Sequence, residues 1–186
     1  GEQYDSPAEK RVYYFEDQRS YHTLKTGWVY DEGHWYYLLK DGGFDAGIDS
    51  LTVGELARGW IKDYPLTYDE EKLKAAPWYY LDPETGIMQT GWKQIGNKWY
   101  YLRSSGAMTT GWYQEGSTWY YLDAENGDMK TGWQYLGNKW YYLRSSGAMA
   151  TGWFQVGSKW YYAYSSGALA VNTTVDGYYV NYNGEW

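Results

Sequence analysis

Tryptophans recur in pairs along this chain, at a spacing suited to work at an aromatic face. A Gly-Trp step occurs at Trp28, Trp60, Trp92, Trp112, Trp133 and Trp153, and a WYYL or WYYA run begins at Trp35, Trp78, Trp99, Trp119, Trp140 and Trp160. In five of the six pairs the second Trp follows the first by seven residues, so 12 of the 13 Trp obey one pattern. Leu or Val could fill a small core, and two indoles per unit argue for a binding surface instead. The face of an electron-rich ring attracts a cation, and a quaternary ammonium gains further from burying its methyls while needing no hydrogen bond.

Other chemistries find little support. With no Cys and only His22 and His34, the chain offers no disulfide framework and no paired-histidine metal motif. Glu70 with Glu71, and Asp123 with Glu125, are carboxylate pairs in turn-like sequence. A glycosidase needs one carboxyl in an apolar setting and a second fixed opposite it. The run Asp123 to Asp128 lacks the glycine position and terminal ligand of an EF-hand. No catalytic residue, metal or cofactor is therefore expected, and the chain reads as a non-enzyme. A net charge of -7 disfavours nucleic acid, whose binding rests on phosphate neutralisation. No apolar run reaches transmembrane length. Gly1 to Lys10 lack a signal-peptide profile, so any export signal is expected to be already gone.

The elements that must position the rings follow from the repeat. From Trp78 onward the WYY runs start 21, 20, 21 and 20 residues apart, and residues 78–118 match 119–159 at 30 of 41 positions, which points to duplication in pairs. The extra residue falls in the turn after WYYL: Asp82 to Gly86 and Asp123 to Gly127 are long, Arg103 to Gly106 and Arg144 to Gly147 short. Within a unit, Trp92 to Gly96 and Asn97 to Leu102 read as two short strands around a Gly turn. A lone hairpin is marginal in water, so neighbouring units must bury rings against one another. The predicted fold is all-β, a solenoid of repeated hairpins with one or two short helical insertions in the N-terminal half.

Its expected organisation is a lead segment over 1–11, irregular repeats over 12–77, regular 20/21-residue repeats over 78–163 and a capping hairpin over 164–186. Val12 to Phe15 reads as a degenerate first rung. Insertions are placed at about 43–57 and 61–77 because the Trp spacing stretches there. Thr52 to Glu55 and Thr67 to Glu70 have capping-box spacing, and Asp69 to Ala76 carries helix formers until Pro77.

Pleating puts Trp99 and Tyr101 on one strand face, Tyr100 and Leu102 on the other. The two Trp of a hairpin are then expected to face each other as a cross-strand pair, with the first Tyr of the next rung as a third wall and Met between rungs as an apolar side. Three cages result: Trp92, Trp99, Tyr120 with Met108; Trp112, Trp119, Tyr141 with Met129; and Trp133, Trp140, Tyr161 with Met149. The second Tyr of each unit (Tyr101, Tyr121, Tyr142, Tyr162) is read as core. A cage of rings without a carboxylate suits choline.

Repeats such as TGWKQIGNKWYYLRSSGAM and TGWYQEGSTWYYLDAENGDM resemble the choline-binding repeats of surface proteins and cell-wall hydrolases from choline-decorated Gram-positive bacteria and their phages, and the ending VNTTVDGYYVNYNGEW is similar to the closure of such modules. The likeness spans about residues 12–186 and is densest over 78–163. It implies that the three trios cage the trimethylammonium of choline. Further candidate cages are Trp28 and Trp35 with Tyr79, Trp60 and Trp78 with Tyr100, and Trp153 and Trp160 with Tyr178. It implies a secreted, surface-held protein bound to the phosphocholine of teichoic and lipoteichoic acids, with the insertions open to a host protein in an adhesin or virulence role. A glucan-binding module is the rival. Sugar sites want fixed polar groups beside the ring, whereas Lys93, Tyr113, Gln134 and Phe154 vary at the position after Gly-Trp. A further alternative is the anchoring part of a wall hydrolase whose catalytic domain lies outside this chain.

Overall fold

The computed structural model describes residues 25–40, 53–65 and 67–186. Expectations for the lead segment, for Val12 to Phe15 and for most of the first insertion lie outside them. Two compact units are distinguished: the described residues up to Gly91 together with Leu102–Met108, and Trp92–Tyr101 together with Thr109–Trp186.

Among the described residues every strand belongs to a two-stranded antiparallel sheet made from neighbours in sequence. In the first unit β1 (Gly27–Asp31) pairs with β2 (His34–Leu38), and β3 (Gly59–Lys62) with β4 (Trp78–Leu81). The regular hairpins are β5 (Gly91–Ile95) with β6 (Lys98–Leu102), β7 (Gly111–Glu115) with β8 (Thr118–Leu122), β9 (Gly132–Leu136) with β10 (Lys139–Leu143), and β11 (Gly152–Val156) with β12 (Lys159–Ala163). A last, three-residue pair, β13 (Thr173–Val175) and β14 (Tyr178–Val180), follows.

The turns explain the hairpins. Gly137 and Asn138 both adopt positive φ, 54° and 62°, the backbone of a type I′ turn whose twist matches that of the flanking strands. Such a two-residue loop leaves one register available, with Leu136 opposite Lys139 and Trp133 opposite Tyr142.

Successive hairpins are stitched by the link between them. Met129 forms a bridge with Leu122 of its own hairpin, and its N–H donates to the Trp99 carbonyl of the hairpin before, at 2.8 Å. Met149 repeats this with Leu143 and Trp119, also at 2.8 Å. Leu38, Leu81, Leu102, Leu122 and Leu143 have no exposed surface, so the last residue of WYYL forms the core and the Trp lies on the opposite strand face. That is the division of faces expected from the pleat.

The second insertion holds the one helix among the described residues, α1 (Glu70–Lys74). Its N-cap is Asp69, whose side chain accepts from the Glu71 and Lys72 N–H groups, while Thr67 Oγ1, two residues earlier, accepts from the Asp69 N–H. The capping box expected from Thr67 is therefore shifted by two residues, because a carboxylate next to the first turn outcompetes a hydroxyl further back. Of the other helix signal, Thr52 lies outside the described residues. Val53 and Gly54 form a turn, and Leu56 bridges to Leu38.

Candidate ligand-binding site

In β7–β8, Trp112 lies opposite Tyr121 and Trp119 opposite Gln114. The two indoles share a face but sit diagonally, which corrects the expectation of direct opposition: a two-residue turn fixes the sum of paired residue numbers and leaves the Trp pair two residues out of step. Diagonal neighbours remain within reach of rings this large. Trp112 and Trp119 have centroids 6.3 Å apart at 84°, and Trp133 and Trp140 lie 6.4 Å apart at 87°.

The following repeat supplies the third ring. Tyr120 stands 4.9 Å from Trp92, Tyr141 4.9 Å from Trp112 and Tyr161 4.8 Å from Trp133, with interplanar angles of 63°, 63° and 67°. Rings meeting this steeply do not cover one another by stacking, so π faces remain for a ligand. The second Trp of each pair stays open: Trp99, Trp119 and Trp140 are 41%, 37% and 46% exposed. The first Trp of each pair is half-buried. Tyr161 differs from its counterparts, being buried in a cluster with Ala150, Phe154 and Ala163.

The second Tyr is core in β2, where Tyr37 is buried with Ala57 and Leu81, but only partly buried in the regular repeats. Tyr101, Tyr121, Tyr142 and Tyr162 are half-buried and lie edge-on to Trp92, Trp112, Trp133 and Trp153 at 5.2, 5.1, 5.0 and 5.2 Å. They back the cage floor, a role visible in the sequence once the turn length is counted. The methionines also have a job of their own. Met129 and Met149 lay their sulfur atoms on Gly147 and Gly167, in the turns of the next repeat, where a Cβ would collide with them. Met108 belongs to the first unit, where its N–H donates to the Trp78 carbonyl at 2.7 Å.

The remaining candidate trios fare unevenly. Trp28 meets Tyr79 at 4.6 Å, across the insertions, and Tyr30, not Tyr79, lies against Trp35, at 5.0 Å. Trp60 and Trp78 come together despite their separation, since β3 and β4 pair with Lys62 opposite Trp78 and Trp60 opposite Tyr80, but Tyr100 belongs to the second unit. Trp153 meets Tyr178 at 5.9 Å, and the terminal Trp186, overlooked in the sequence, stands 4.8 Å from Tyr178 and 6.4 Å from Trp153.

Carboxylates also enter the picture. Trp92 Nε1 donates to Glu115 at 3.2 Å and Trp153 Nε1 to Asp176 at 2.9 Å, each 23 residues further on. The corresponding strand ends after Trp112 and Trp133 carry Leu136 and Val156. Trp28 Nε1 donates to Asp63 at 2.9 Å, and Asp63 also accepts from Tyr37 Oη at 2.9 Å and Lys40 Nζ at 2.8 Å. Burial would raise the Asp63 carboxyl, but the bonds from Lys40, Trp28 and Tyr37 outweigh it and hold it below its ordinary range. Burial, then the Asp63 carboxylate, pushes the Tyr37 hydroxyl far up. An acid at the indole edge adds an attraction for cations that rings alone lack.

Repeated hairpins carrying paired indoles define a class, and the chain belongs to the choline-binding repeat family. The choline-binding repeat model matches residues 89–131 and 130–173, and a cell-wall-binding repeat model matches 26–44. CbpJ from Streptococcus pneumoniae is 60% identical, covering 94% of this chain and 61% of that one at a TM-score of 0.67. Choline-binding protein F from the same organism is 56% identical, covering 100% and 64% at 0.63. The modular autolysin LytC is 30% identical over 93% of this chain and 39% of its own, at 0.54. The chain thus spans less than two thirds of the length of these relatives. None of the curated proteins matches it.

Proposed function

We propose that this chain is a binding module that holds choline between successive hairpins and so attaches a secreted surface protein, noncovalently, to the phosphocholine of teichoic and lipoteichoic acids in the bacterial wall. The observation that carries the reading is the recurring trio: two indoles near right angles at 6.3–6.4 Å with the next repeat's tyrosine 4.8–4.9 Å from the first. Those faces suit a trimethylammonium, whose methyls contact rings on several sides and whose charge favours their quadrupoles. Support also comes from the relatives: choline-binding protein F is named for choline, and one of its structures holds ipratropium, a quaternary ammonium compound. The chain's own residues bind and orient; no step of bond making is assigned to them.

One cage contributing about 4 kcal/mol corresponds to a Kd of about 1 mM, weak for a single anchor. Three such cages on a polymer act through effective concentration and bind far more tightly than one. The test is intrinsic Trp fluorescence against choline and against a neutral glucan oligosaccharide, in the wild type and in Trp112→Ala and Trp119→Ala. Saturable millimolar quenching by choline alone, weakened in both variants, is expected. A response to the glucan without one to choline would move the reading to carbohydrate.

A further inference from the structure

The hairpin of β3 and β4 differs from the others at one seat. The residue directly opposite the second Trp is Gln114 in β7–β8, Tyr135 in β9–β10, Gln155 in β11–β12 and Tyr30 in β1–β2, but Lys62 in β3–β4, where it faces Trp78. Its ammonium stands 5.7 Å from the Trp78 ring centroid and 5.3 Å from that of Tyr64. The charge is fixed there by a third partner, the carbonyl of Lys74, which accepts from Lys62 Nζ at 3.0 Å. Lys74 is the last residue of α1, and its carbonyl is among those a helix end leaves without an intrahelical partner. The inserted helix therefore presents an acceptor that holds a protein cation over the indole which, in the other hairpins, is the open wall of a cage.

We propose that Lys62 is an internal substitute for ligand: its ammonium occupies the cation face of Trp78, with α1 as its clamp, and closes this repeat to choline. The inference rests on the choline reading of the regular repeats. A cation tethered on the same hairpin acts at an effective concentration in the millimolar range or above, whereas a single cage binds free choline at about 1 mM. Choline would have to displace Lys62 from two ring faces and break its hydrogen bond to the Lys74 carbonyl. Lys62 thereby determines which repeats exchange ligand, and the insertion gains a function: it converts a binding rung into a fixed one.

The experiment is equilibrium dialysis of radiolabelled choline against the full chain, counting choline bound per chain at saturation. Lys62→Gln reinstates the residue found opposite Trp119 and Trp160, so folding is preserved, and about one additional choline per chain is expected. Lys62→Arg keeps a cation at the seat and should stay at the wild-type count. Trp78→Ala should leave the count unchanged, while Trp112→Ala lowers it by about one. A wild-type count that falls in Trp78→Ala, or Lys62→Gln that gains nothing while Trp112→Ala still loses a site, overturns the proposal and leaves the regular cages intact. Absence of saturable choline uptake by the wild type overturns the choline reading itself, and this inference with it.

Discussion

At the scale of single residues, the cages are built from rings that differ in exposure and so in consequence. Trp119 is an open wall, whereas Trp112 is a half-buried floor backed by Tyr121 and capped by Tyr141. Trp119→Ala is expected to weaken choline at its cage about tenfold, the loss of about 1–2 kcal/mol of cation–π attraction, with little change in melting temperature. Trp112→Ala should cost both affinity and stability, which calorimetry on the same two variants would separate. Glu115 offers a finer test, because it touches the indole edge of Trp92 and the Tyr113 hydroxyl. Glu115→Gln is expected to lower affinity at the Trp92 cage about two- to fivefold, and the effect should shrink with added salt. The Trp pairs and the next-repeat tyrosines were legible from spacing alone. These carboxylates were not, since a 23-residue separation between an indole and an acid carries no local pattern, and the matching positions after Trp112 and Trp133 hold Leu136 and Val156.

The hairpin is the unit at which the sequence says most. A WYYL strand shows its two faces by alternation, and a two-residue turn fixes which residues oppose each other. The diagonal Trp geometry and the backing role of Tyr101, Tyr121, Tyr142 and Tyr162 follow once both are combined. What spacing could not disclose is contact between repeats, such as Met129 seated on Gly147. That glycine has φ +85° and no room for a Cβ, so Gly147→Ala is expected to destabilise the chain by about 1–3 kcal/mol. Gly152→Ala, with φ +70° but open space around it, should cost less, and thermal melting of the two variants side by side checks the order. The long turns carry their own titration. The Asn126 backbone N–H, then the Lys130 ammonium and the Glu125 backbone N–H, hold the Asp123 carboxyl down at about 2. Its folded value lies below the ordinary 3.8, so its contribution to stability is fully present above about pH 4 and is lost as pH falls toward 2. Asp123→Asn should flatten the fall in melting temperature across that window. The short turns, which begin with Arg103 and Arg144, lack this carboxylate.

Across the whole molecule, function rests on repetition. The Trp–Tyr contact between successive repeats recurs three times in the second unit, at Trp92, Trp112 and Trp133, and on the proposed function attachment to a polymer depends on joint occupancy of such sites. Removing one cage by Trp119→Ala is therefore expected to shift elution from a choline matrix far more steeply than it shifts affinity for free choline, and equal losses in the two assays would argue against multivalent attachment. The regular half was readable because each unit restates the last. The first unit was less so: its hairpins are interrupted by insertions, and only the folded chain shows Trp60 and Trp78 brought into register around α1. The proposed function turns on a quaternary ammonium held among Trp112, Trp119 and Tyr141. The most direct measurement is a nuclear Overhauser spectrum of the isotope-labelled chain with choline near saturation. Cross-peaks from the choline methyl protons to the indole protons of Trp112 and Trp119 and the ring protons of Tyr141 are the expected result. Bound choline whose methyls show cross-peaks elsewhere and none to these three rings would contradict it.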